Sequence, residues 1–259
     1  MKKITAIFKK DVKTILLSPS GLVMISLFSV ACGLFLVADL LDLSAVSAQL
    51  AGHPEDPFAI PVGFNEAVIA PFFVNASLVL SLIIPIFASR LFSEEKRSGA
   101  FELLFAYPVS DSAVVCAKFL TAAFGILLLM ASSMVDFLIV YFKTYHFEIP
   151  VLTSAYLGIF LAALLISGVS MAIASRTANA ALGSILSFSV LILWWGSGWF
   201  GDFLAPHFNH WLKSVWIVDH LRDFSRGVLN TSTIAFYLIG ILFFFFACVL
   251  SLESRNWKR

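Results

Sequence analysis

The chain has 259 residues, of which 60% are hydrophobic and 13% charged, with 27 phenylalanines, a net charge of +1 and a mean hydropathy of +0.95. Soluble domains run at about 45–50% apolar and about 25% charged, so this chain has too few ionisable residues to coat itself against water. That excludes a soluble enzyme, a nucleic-acid-binding domain and a disordered protein, and it leaves an all-α polytopic membrane protein.

The N-terminus carries five lysines, Lys2, Lys3, Lys9, Lys10 and Lys13, before the first apolar run. That run is of full spanning length and lacks an A-x-A-like exit, so it reads as a retained span and not as a cleaved signal. Ile4, Ile7, Phe8, Val12, Ile15 and Leu16 recur at helical spacing between the lysines. The pattern predicts a basic amphipathic helix on the membrane surface over residues 1–20, ended by Ser18-Pro19-Ser20-Gly21.

Six stretches then reach the roughly 20 residues that cross a hydrocarbon core. They are Leu22 to Leu41, Pro71 to Phe92, Ala113 to Tyr141, Leu152 to Ser175, Ala178 to Trp195 and Thr233 to Leu252. With six spans the termini share one side, and that side takes thirteen of the 17 Lys and Arg residues. The other side holds Lys143, Lys213, Arg222 and Arg226. The positive-inside rule places both termini in the cytoplasm, which for a bacterium is the inner membrane.

Two outer segments and one inner loop connect these spans. Residues 42–66, with Gly52-His53-Pro54-Glu55-Asp56-Pro57, read as an irregular loop. Residues 196–232 read as a re-entrant or surface segment, opening on an aromatic belt, Trp194 to Gly201, broken by glycines. Within it, Leu212, Val215, Trp216, Leu221 and Phe224 predict a short amphipathic helix with Gly227 just past its end. The inner loop, residues 93–110, holds Phe101, Leu104 and Phe105 on one helical face, with Ser98 as N-cap and Pro108 as the stop. Such a ridge suits either docking into a protein groove or resting on lipid headgroups.

Few residues inside the spans are polar. Asp136, five residues before Tyr141, and Asp39, near the outer end of the first span, are either members of a substrate path or acids at the membrane interface. Pro85 either kinks the second span or is accommodated by a neighbouring helix. Small residues of the fourth span, among them Ala162, Ser167 and Gly168, permit close helix contact. The three cysteines lie scattered in apolar runs, and His207 and His210 lack a third ligand nearby, so no metal site is expected.

The run Glu94-Glu95-Lys96-Arg97-Ser98-Gly99-Ala100-Phe101-Glu102-Leu103-Leu104, followed by Tyr107-Pro108-Val109-Ser110, resembles the signature of ABC-2-type transporter permease subunits. Ala100 stands where that family usually has Thr. The basic N-terminal helix, Lys118 at the start of the third span and the stretch His220 to Leu229 before the last agree with the resemblance, which covers the whole chain as a single domain, 1–259. The run Gly227 to Asn230 is most similar to compact permeases of the gliding-motility and nitrous-oxide-reductase-maturation type.

The resemblance implies a dimer, with itself or with a related permease, set in membrane lipid. It implies a separate cytoplasmic ATPase docked through Glu94, Glu95, Gly99, Phe101, Glu102 and Leu104 and through the N-terminal helix. The chain carries no Gly-x-x-x-x-Gly-Lys-(Ser/Thr), so ATP is expected on the partner and no cofactor on this chain. The expected function is that of a non-enzymatic permease subunit of an ATP-driven exporter. The alternative is a membrane component that transmits ATPase-driven motion to a surface or motility apparatus. A secondary transporter is disfavoured, because no midspan cluster of ionisable residues is present to bind coupling ions.

Overall fold

The computed structural model describes residues 2–16, 18–52, 63–97, 110–143, 148–177, 179–201 and 214–256. Every regular element among them is helical. In chain order they are α1 (Lys2–Asp11), a π-helical turn (Val12–Leu16), α2 (Pro19–Gly52), a second π-helical turn (Asn65–Ile69), α3 (Ala70–Arg97), α4 (Asp111–Lys143), α5 (Ile149–Arg176), α6 (Ala180–Gly201), α7 (Ile217–Ser225) and α8 (Thr231–Asn256). Six of these, α2, α3, α4, α5, α6 and α8, are long and apolar enough to cross a membrane.

The six spans stand where the apolar runs predict them, and several of their ends do not. Ser18-Pro19-Ser20-Gly21 starts α2 and does not merely end α1. Ser18 caps the new helix, its hydroxyl accepting the Gly21 N–H at 3.2 Å and its carbonyl the Leu22 N–H at 3.1 Å, while Pro19 fills the first helical position, where a missing N–H costs nothing. At its far end α2 runs eleven residues past Leu41, so 42–52 are helix and not irregular loop. Ser44 and Ser47 donate to the carbonyls of Leu41 and Leu43, each at 2.8 Å, so these polar residues satisfy themselves without ending the helix. Residues 53–62 lie outside the described residues.

The second span continues as helix to Arg97, taking the first residues of the expected inner loop with it. Pro85 sits within this unbroken helix and is buried. The sixth helix likewise continues to Gly201, so the glycines of the aromatic belt do not break it. One of them has a packing reason: a Cβ on Gly198 would stand 2.3 Å from the Trp216 indole.

The core centres on α5, which packs on α3, α4, α6, α7 and α8. Of its most apolar stretch 67% is buried, against 22% for α2, α6 and α8, which makes those three the peripheral helices. The small residues of α5 explain the close approach. A Cβ on Gly158 would stand 2.5 Å from Phe224, and one on Gly168 would stand 3.1 Å from Phe244. At the end away from α1, the short helix α7 caps the bundle. It closes as the sequence predicts, with Gly227 at φ +78° in the left-handed region just beyond it.

Candidate functional site

Lys118 lies seven residues into α4 and is fully buried, at 0% exposure. Removing an ammonium from water costs several kcal/mol unless partners replace its hydration. Three groups do so. The Asp11 carboxylate at the end of α1 pairs with it at 3.7 Å. The Leu91 carbonyl on α3 accepts a hydrogen bond from it. The Phe92 ring lies 5.0 Å below it in cation–π geometry. One cation thereby fastens the surface helix, the end of α3 and the start of α4 into a single unit.

Apolar packing surrounds that clamp. Ile7 of α1 sits against Val114 and Ala117 of α4, and the rings of Phe8 and Phe124 meet edge-on at 6.0 Å. Leu91 and Phe92, both buried, join Val115, Met171 and Leu252 in one cluster, and the Ser175 hydroxyl donates to Ser251 at 2.8 Å between α5 and α8. Five elements therefore converge at the place where α3 runs on toward residue 98.

Of the docking residues read from the sequence, Glu94 and Glu95 fall on the last turns of α3. Gly99, Phe101, Glu102 and Leu104 lie outside the described residues, as does the short helix expected after Ser98. The sequence reading noted Lys118 only as a family feature and missed its pairing with Asp11. A signal was present: a lone cation follows Ala117 and precedes Phe119 and Leu120, and Asp11 is the lone acid in a helix of lysines.

The two span acids are set apart from each other. Asp136 faces α2, with both carboxylate oxygens 4.0 Å from where a Cβ on Gly33 would stand. The nearby Tyr156 hydroxyl is hydrogen-bonded to Ser133 at 3.2 Å. Rings of Phe73, Phe137 and Tyr156 form an aromatic wall beside it. Asp39 stands six residues beyond Gly33 along α2, about 9 Å of helical rise, with Asp42 as its charged neighbour. Asp39 is only 8% exposed. Asp39 and Asp136 each keep a buried Oδ2 with no hydrogen-bond partner.

Indole rings organise the cap at the α7 end. Trp194 donates to the Val215 carbonyl at 2.8 Å and Trp216 to the Trp195 carbonyl at 2.6 Å, joining α6 to the chain just before α7. Tyr237 of α8 is buried and donates to the Ile217 carbonyl at 3.2 Å. His220 stacks on Phe236 at 4.2 Å, and no group of three metal-ligating side chains occurs among the described residues.

No curated protein sequence matches the chain closely enough to add to this geometry. The sequence profile described as ABC-2 family transporter protein matches residues 24–193, about two thirds of the chain and five of its six spans. The chain therefore belongs to the ABC-2 transporter family and is a membrane permease component of the ABC-transporter kind.

Proposed function

We propose that this chain is the permease subunit of an ATP-driven exporter and that it receives force from a separate cytoplasmic ATPase at its basic end. The Asp11–Lys118–Leu91 clamp carries this reading. A push delivered beyond Arg97 reaches α1 and α4 through one buried cation, without depending on flexible surface contacts. The ATPase seats on the ridge Phe101 and Leu104, with Glu94, Glu95 and Glu102 at its rim and Gly99 at the bend. The termini lie in the cytoplasm, following the distribution of Lys and Arg. Two permease chains surround the path, and Asp136 and Asp39 belong to its outer half.

The test is co-purification of the full-length permease with its co-encoded ATPase. Truncating an aromatic anchor at a protein interface costs about 2 kcal/mol or more, roughly a thirtyfold loss of affinity. Phe101→Ala should therefore reach the membrane in normal amount and lose the ATPase, while Phe92→Ala should weaken the clamp yet retain the partner. If Phe101→Ala and Glu102→Ala both bind and stimulate the ATPase like wild type, the loop is only a turn and the docking assignment is wrong.

A further inference from the structure

The apolar side of α1 faces protein and not lipid. Ile7 is buried against Val114 and Ala117 of α4, Ile4 packs on the same cluster, and the Phe8 ring meets Phe124. Asp11, on this side too, pairs with Lys118. An amphipathic surface helix ordinarily holds to a membrane by sinking its apolar face about 5–10 Å into the acyl boundary, and here α4 already occupies that face. The opposite side of α1, continued by the π-helical turn, carries Thr5, Ala6, Lys9, Lys10 and Lys13, all exposed. Lys9 and Lys13 make no hydrogen bond or ion pair among the described residues. Lys10 has Asp11 at 4.0 Å, yet its side chain stays 48% exposed.

The depth of this face follows from α4. Its 33 residues exceed the roughly 20 that cross a hydrocarbon core, so a centred helix leaves about six outside at each end and enters the core near Ala117. Leu120 and Phe124, just inside that level, are exposed large hydrophobics, as lipid-facing side chains are. Resting on Val114 and Ala117, α1 therefore lies at headgroup depth with α4 behind it. We propose that Lys9, Lys10 and Lys13 form a contact surface for the phosphates of anionic phospholipids in the leaflet at the basic end. Ammonium groups on long stems reach phosphate oxygens while the helix itself stays out of the hydrocarbon. Each lysine near an anionic surface gives about a fivefold preference. A protein groove fits this face less well. The exposed side chains around the lysines, Thr5, Ala6 and Thr14, include no large apolar anchor, and protein interfaces draw most of their affinity from such anchors.

Through α1 and the Asp11–Lys118 pair, the lipid surface then becomes the fixed point against which α3 and α4 are held. This assignment does not depend on the ATPase reading, and it leaves an ATPase partner to the loop after α3. It is tested on the full-length chain without a partner, by native mass spectrometry from mild detergent during titration with an equimolar mixture of phosphatidylglycerol and phosphatidylethanolamine. Wild type should prefer phosphatidylglycerol by about tenfold or more, and Lys9→Gln, Lys10→Gln and Lys13→Gln together should lower that preference at least about fivefold. Arginine at the same three positions should keep it. Lys9→Gln with Lys13→Gln serves the same purpose should the triple variant fail to give monodisperse protein. Location is read separately in nanodiscs, from a nitroxide on Ala6→Cys in a chain whose three native cysteines are replaced by alanine. A nickel-chelating lipid headgroup should relax that label, and less so in the glutamine variant. An unchanged lipid preference in the glutamine variant overturns the proposal, and so does a label that the nickel lipid does not reach. That second result, joined to loss of the co-encoded ATPase from the glutamine variant, would make the lysine face a protein-docking surface instead.

Discussion

The two ends of this bundle treat buried charge in opposite ways. At the basic end Lys118 is entirely enclosed, and a carboxylate, a carbonyl and an aromatic ring replace its water. The Asp11 Oδ2 facing it has a cation at 3.7 Å in place of a hydrogen bond, whereas toward the other end Asp136 and Asp39 each bury an oxygen that has no hydrogen bond and no ion pair among the described residues. The helices there are held by rings seated on glycines, Phe224 on Gly158 and Trp216 on Gly198. A matched charge selects one arrangement of the groups around it, because breaking it leaves an uncompensated ion. An unmatched one leaves an interaction to be supplied from outside. One end is braced by a matched pair, and the other keeps acids with no ion pair among the described residues.

The largest effect should come from breaking the brace. Lys118→Ala takes from Asp11 its buried cation and leaves the half-exposed Lys10 at 4.0 Å, so it should cost up to about 3–5 kcal/mol, read as a marked fall in the thermal unfolding temperature of the purified chain. Pairing Lys118→Met with Asp11→Leu removes both charges while keeping volume, and should recover most of that stability. If the double variant is stable yet no longer couples ATP hydrolysis to the membrane part, the pair serves transmission and not stability alone. A double variant as unstable as Lys118→Ala would instead make the Leu91 carbonyl the partner that matters.

A middle-sized effect is expected where α7 rests on α5. In Gly158→Val the added carbons meet Phe224, already 2.5 Å from the Cβ position, at a cost of about 1–3 kcal/mol for overpacking. The cap should lift before the bundle unfolds. A cysteine placed at Ser225, which is fully buried, should then react with a thiol reagent faster than in the Gly158 parent, while one at Cys248 should not change.

The smallest shift, and the one of opposite sign, concerns Asp136. Asp136→Asn removes a charge that has no hydrogen bond on Oδ2, so thermal stability should hold or rise by about 1 kcal/mol. A position on the substrate path would show as a loss of substrate-stimulated turnover in the same variant. A fall in stability with unchanged turnover would place the acid among the packing residues, beside Tyr156 and Ser133.

Apolar runs made the six spans legible, because crossing hydrocarbon demands about twenty such residues whatever the tertiary structure does. The helix ends were less so. Hydropathy marks where a chain leaves lipid and not where its backbone stops coiling, so Asp42, Ser44 and Ser47 read as loop although α2 runs through them. Gly198 misled for a related reason: its smallness accommodates Trp216 and does not bend the helix, and the helix runs through Gly196 as well. Gly227 was readable because a positive φ is a local demand that glycine meets. The Asp11–Lys118 pair joins residues 107 positions apart, and nothing local marks one as the partner of the other. Asp136 was visible as an acid in an apolar span, while its place beside Gly33 required the packing of α2 on α4.

The length of α2 has a consequence of its own. Its 34 residues span about 51 Å at 1.5 Å each, against a hydrocarbon core of about 30 Å, and Ser44 to Gln49 are exposed. An unbroken rod of that kind is a lever. Its short arm lies beside the clamp, where Met24 packs on the cluster of Leu91 and Phe92, its middle faces Asp136 at Gly33, and its long arm is exposed from Ser44 to Gln49. A tilt too slight to disturb packing at the basic end is magnified at the tip, so the far end reports, in displacement, what happens to the few residues around Gly21.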